Sequence, residues 1–181
     1  MISSLARRGP VAAVGAGTLF LVDGIILGLD PGETDPLLRP LEHVILSLYA
    51  VALLLLVPAL LHLAGRVDAR RPAVLASTGA VVLAFGMTAT NLHGQDYSWF
   101  PAAAVPANLA WLAGSVALSV ALWRRSRAPR WAAVTPVVTW VCGIPLSQLG
   151  GPVLSGALWL AIGALALAGT LERPVREPAS V

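Results

Sequence analysis

Leu41-Glu-His-Val-Ile-Leu-Ser-Leu-Tyr-Ala-Val-Ala-Leu-Leu-Leu-Leu-Val-Pro-Ala-Leu-Leu-His-Leu-Ala64 is followed at once by Gly65-Arg-Val-Asp-Ala-Arg-Arg-Pro72. A helix rises about 1.5 Å per residue, so about 20 mostly apolar residues carry it through a hydrocarbon layer of about 30 Å. The stretch meets that length, and its basic end belongs in the headgroup region. Inside lipid every backbone N–H and C=O must be paired within its own element, so the expected class is all-α.

Working outward from this span, the same pattern recurs. The apolar runs lie at approximately 11–29, 41–64, 73–92, 102–123, 131–146 and 153–171, and a polar tail occupies 172–181. This predicts one transmembrane domain, a polytopic bundle of about six helices. The weakest run is 131–146, which is short and carries Pro136 and Pro145, and it is expected to be tilted, thin or partly re-entrant. Arg7 and Arg8 ahead of the first run invite a signal-peptide reading. The run is long for that, contains Asp23 and lacks a small-residue cleavage site, so it is read as a retained span.

Composition agrees. The chain of 181 residues is 57% hydrophobic and 12% charged, with a mean hydropathy of +0.79. A soluble domain carries about 25% charged residues, and too few polar groups remain here to cover the apolar surface in water. Lipid is therefore the expected solvent and partner. The net charge of +3 does not indicate nucleic acid, because the basic residues stand in short clusters between apolar runs. All 12 are arginine, and the abundance of Ala, Val, Leu, Gly and Pro suggests a GC-rich bacterial genome.

With the amino terminus inside, the inner segments hold Arg7, Arg8, Arg66, Arg70, Arg71, Arg124, Arg125, Arg127, Arg130, Arg173 and Arg176, and the outer segments hold Arg39. That bias favours six spans with both termini cytoplasmic, in the plasma (inner) membrane. A five-span chain would put the tail arginines outside.

Helices in lipid associate through small residues and interhelical hydrogen bonds. Candidate faces are Ala13/Gly17 and Gly24/Gly28 in the first span, and Ala76/Ala80/Ala84/Thr88 in the third. The fourth offers Ala110/Gly114 with Ser115/Ser119, and the sixth Ala157/Ala161/Ala164/Ala168. These are expected to form the inside of the bundle, with a homo-oligomer or a partner membrane protein as the alternative use.

Asp23 is the most informative residue. A carboxylate at the centre of a span costs roughly 2.5–3.5 kcal/mol on the insertion scale, so it should face the bundle or a watery cavity. It is a candidate partner for a proton, an ion or a substrate amine, or simply a buried carboxyl bonded to a neighbour. A second group lies at the predicted outer ends of spans two and three: Glu42, His43, Asn91, His93, Asp96 and Tyr97. It reads as an outer vestibule. Two His and two carboxylates have the chemistry of zinc ligands, but no HExxH and no His pair at i, i+4 supports a metal, and no cofactor is expected. Tyr49, Trp111, Trp140 and Trp159 fall within spans and are candidates to line a cavity. His62, one turn after Pro58, is read as an interfacial residue. The lone Cys142 excludes an intramolecular disulfide and a CxxC motif.

The functional expectation is a small-ligand or ion binding or sensing protein with a polar vestibule on the extracytoplasmic side. One alternative is a small membrane enzyme acting on an isoprenoid- or lipid-like substrate by acid catalysis. The other is an accessory subunit of a membrane complex.

Overall fold

The structure, a computed structural model, describes residues 8–30, 36–126 and 128–170. Arg7, Glu33, Asp35, Arg127 and the tail with Arg173 and Arg176 lie outside the described residues. Those described form six α-helices: α1 Gly9–Leu29, α2 Pro40–Gly65, α3 Arg70–His93, α4 Phe100–Arg125, α5 Arg130–Gly143 and α6 Gly151–Leu167. A 3-10 turn, Ser147–Leu149, joins the last two. The fold class is all-α, as the apolar runs predict.

Helix starts are written in proline. Pro10, Pro40, Pro101 and Pro152 occupy the first turn of α1, α2, α4 and α6, where a missing N–H costs nothing and φ is already helical. Gly94 (φ 79°) ends α3 and Gly150 (φ 74°) precedes α6, both in the left-handed region that suits glycine. Pro58 lies within α2, which continues through it to Gly65.

Each helix packs against its chain neighbours, and α6 returns against α1, which closes an antiparallel ring. The α1–α6 crossing is backbone-tight. A Cβ on Gly17 would stand 2.6 Å from Leu160 N, and one on Gly156 would stand 2.6 Å from Leu21 N. Gly79 and Gly114 serve the α3–α4 crossing in the same way, against Trp111 N and Pro72 O. Such approach is how helices gain packing energy without a hydrophobic drive. On α3 the expected stripe is buried at Ala76, Ala80 and Ala84 but not at Thr88, which is exposed. On α6 the expectation fails: Ala157, Ala164 and Ala168 are exposed, and the packed face is Ser155, Gly156, Trp159, Ile162 and Gly163. The α1 backbone needs glycine there, and alanine is small but still carries a Cβ.

The interior is largely apolar but encloses several polar side chains, and the outer surface of the helices is apolar too. Asp23, Glu42, Ser115, Thr135 and Ser155 are fully buried, whereas Val51, Leu54, Val81, Phe85, Leu109 and Val116 are exposed. An outer belt of this kind is stable in hydrocarbon and not in water. Helices α1 to α4 are each long and apolar enough to cross a membrane. Helices α5 and α6 have 14 and 17 residues, about 21 and 26 Å.

The expected span 131–146 is helical only to Gly143. Pro145 has no N–H to donate, and Leu146 N instead reaches back to Val141 O at 3.2 Å. The two ends of the bundle differ in charge. Arg8, Arg66, Arg70, Arg71, Arg124, Arg125 and Arg130 lie at the end where α1, α3 and α5 begin, and Arg39 lies at the other. They are called here the arginine end and the far end.

Candidate functional site

The site begins where α5 stops. Phe20 of α1 and Tyr49 of α2 meet edge to face, with ring centroids 5.4 Å apart. The Tyr49 hydroxyl donates to the carbonyl oxygen of Gly143, the last residue of α5, at 2.8 Å. A Cβ at position 143 would collide with that hydroxyl, so glycine is required for the contact. Both α1 beyond Phe20 and α2 before Tyr49 continue for nine residues toward the far end, about 13 Å. Over that depth the α5–α6 connection is not α-helical. Irregular backbone at membrane depth is tolerated where it is enclosed by protein or lines a cavity.

A cavity lies there. Its volume is about 150 Å³, and Ile144, Ser147 and Gln148 of the irregular segment form one wall. Leu27, Ile45, Leu46, Tyr49 and Met87 from α1, α2 and α3 form the rest, together with Gly143 at the end of α5. The walls are mostly apolar, with the Tyr49 hydroxyl and the Ser147 and Gln148 side chains as the polar groups, the usual division between affinity and orientation in a ligand pocket. An apolar protein cavity of similar size accepts a single benzene-sized ligand.

Two buried acids flank this level. Asp23 is fully buried and follows Phe20 by three residues and precedes Leu27 by four, so all three share one face of α1. Phe20 touches Tyr49 and Leu27 lines the cavity, which puts Asp23 on the stripe directed at the same region. Glu42, also fully buried, has a defined local task. Its Oε2 accepts from the N–H groups of Leu38 (2.7 Å) and Arg39 (3.0 Å), the N-terminal cap of α2. Arg39 Nε lies 3.3 Å from its other oxygen, and Arg39 Nη1 reaches Asp30 at 2.7 Å. This chain of charges ties the end of α1 to the start of α2. The hydrogen bonds to Asp30 and Glu42 raise the Arg39 pKa further above its already high ordinary value.

The remaining far-end residues pair off separately. His43 Nδ1 lies 2.6 Å from Asn91 Oδ1, and Asn91 Nδ2 donates to Ser47 Oγ at 2.7 Å, which joins α2 to α3. Asp96 Oδ1 accepts from Thr90 Oγ1 at 2.6 Å. His93 stacks on Tyr97 at 4.2 Å, and Tyr97 on Trp99 at 5.9 Å. The six vestibule candidates, Glu42 included, thus divide into four local arrangements around the rim. Among the described residues no three His, Cys, Asp or Glu side chains come together as a metal site.

Of the aromatic candidates, Tyr49 lines the cavity. Trp159 is fully buried and gives its N–H to Thr139 Oγ1 at 2.8 Å, joining α6 to α5, while Thr139 bonds back to Thr135 O. Trp111 is buried at the α3–α4 crossing, with its ring edge near Gly143, and Trp140 is half-buried on α5. At the arginine end the His62 ring nitrogen meets Arg66 at 3.0 Å, and its Cβ packs on Gly9. Sequence reasoning missed Met87, Ser147 and Gln148. The visible signal was Gly143-Ile-Pro145, a helix stop inside an otherwise apolar run.

No protein-family model, no curated protein and no solved structure matches this chain.

Proposed function

We propose that the chain is a six-span membrane protein with its arginine end in the cytoplasm, and that it binds a small amphiphilic ligand in the cavity at its far, extracytoplasmic end. The arginine distribution supports the orientation, because basic loops are retained on the cytoplasmic side. Together α5, the irregular segment and α6 supply the fifth and sixth crossings.

The observation that carries the reading is the early stop of α5. A protein with only a structural role gains by continuing the helix, since irregular backbone leaves carbonyls to be satisfied at membrane depth. Here the interruption opens a cavity whose polar groups are Tyr49, Ser147 and Gln148. The Tyr49 hydroxyl donates to Gly143 O and so stands at the cavity wall in a fixed orientation. With an apolar lining and the polar side chains of Tyr49, Ser147 and Gln148 on its wall, the site favours a ligand with an apolar body of about six to eight heavy atoms and one polar end.

Native mass spectrometry of the detergent-purified protein tests this, with compounds of that class added singly. The expected result is a one-to-one adduct with the wild type and none with Met87→Trp, whose side chain fills the cavity while the fold is retained. Adducts of equal occupancy on both proteins would overturn the reading.

A further inference from the structure

We infer that the arginine end of the α3–α4 pair binds the headgroup of an anionic phospholipid, with an acyl chain lying along α4. The inference rests on α3 and α4 being membrane spans and is independent of the cavity at the far end.

A groove of about 570 Å³ opens between the start of α3 and the end of α4. Arg70, Arg71, Arg124 and Arg125 surround it over a floor that includes Ala117 and Val120. Asp68 is the one acidic residue on its lining, so four positive charges against one negative leave +3. Among the described residues the ion pairs are those of Arg39 at the opposite end, and none of these four arginines takes part in one. The other basic groups nearby are occupied: Arg130 lies over the Trp123 ring at 5.1 Å, and Arg66 meets His62. The first turn of α3, which opens into this groove, has no side-chain cap on its N–H groups, and such groups add to the attraction for an anion.

Positive charge alone would serve topology. The second feature is an apolar groove beside the arginines. Val120 and Arg124 also line a groove of about 410 Å³ on the other side of α4, with Ser119, Trp123 and Val134. Guanidinium groups on one flank of α4 and a mostly apolar groove on the other, sharing these two residues, match the two parts of a phospholipid. A free phosphate would use the arginines and leave the apolar groove unused. Basic pockets between helices on the cytoplasmic side are a recurrent form of lipid-headgroup recognition.

The test uses the full-length protein in neutral detergent, titrated with phosphatidylglycerol or phosphatidylcholine and read by native mass spectrometry. Each arginine near an anionic surface contributes about fivefold in affinity, so Arg70→Gln with Arg124→Gln should weaken phosphatidylglycerol binding about twenty-five-fold. Arg130→Gln should leave it unchanged, and millimolar inorganic phosphate should not compete. Because inner arginines also direct insertion, a photoactivatable phosphatidylglycerol is crosslinked to the wild type in parallel. Labels at residues 70–72 and 117–125 are expected. Equal binding of the two lipids, displacement by phosphate, or labels confined to other segments would each overturn the inference.

Discussion

Tyr49 and Gly143, 94 positions apart in the chain, are joined by a 2.8 Å hydrogen bond from the tyrosine hydroxyl to the glycine carbonyl oxygen. The bond fixes α2 to the point at which α5 ends. It satisfies a carbonyl that the broken helix would otherwise leave buried, and it turns the phenol oxygen toward the cavity. Removing the hydroxyl as Tyr49→Phe deletes one interhelical hydrogen bond, worth about 1 kcal/mol in a membrane protein. Unfolding in mixed micelles should show that loss, together with weaker ligand binding. Unchanged stability would mean that Gly143 is satisfied in another way.

Close approach of backbones makes the α1–α6 crossing intolerant of side chains. Gly156→Leu places carbon against Leu21 N and Gly17 O, and overpacking of this kind costs at least about 1–3 kcal/mol. Ala157→Leu and Ala164→Leu change the exposed face of the same helix and should alter stability by under about 0.5 kcal/mol. Micelle unfolding of the three variants checks the contrast, and equal losses would put the packing face in the wrong place.

Glu42 caps α2 and pairs with Arg39, and each residue predicts a stability effect. Glu42→Gln removes the anion from the start of α2 and should cost about 1 kcal/mol. Arg39 behaves as a base whose folded pKa is raised. Its contribution is fully present below the ordinary arginine value and is lost only as pH climbs through the raised one. The stability difference between wild type and Arg39→Met should therefore be the same at about pH 6 and about pH 9. A difference that shrinks across that range would show that another group carries the interaction.

Much of the fold is legible in the sequence, for a simple reason. Apolar runs and arginine clusters are local signals, and they mark helices such as 41–64 to within a residue or two of Pro40–Gly65. Which face turns inward is less legible, because a helix that is apolar all round has no amphipathic stripe. Small residues are the remaining clue, and on α6 both Gly156/Gly163 and Ala157/Ala164 qualify by spacing; only the contact with α1 decides for the glycines. Glu42 was legible as a vestibule candidate at the outer end of its span, yet its burial and its task lay in the local pattern Arg39-Pro-Leu-Glu42, a proline start with an acid in the first turn. The cavity was hidden for a different reason. It depends on Leu27, Tyr49, Met87 and Ser147 meeting across three helices and a broken segment, and no spacing within one run encodes that.

The cavity beneath Ile144–Gly150 is proposed to open on the extracytoplasmic side. Ser147 lines it, and the native Cys142 is buried, so Ser147→Cys in a Cys142→Ala background reports the cavity alone. In intact cells a membrane-impermeant maleimide should label Ser147→Cys from outside, and Met87→Trp in the same chain should slow that labelling. Ser126→Cys, at the arginine end, should react only after permeabilisation. Labelling of Ser147→Cys only from the cytoplasmic side, or at a rate indifferent to Met87→Trp, would contradict the account.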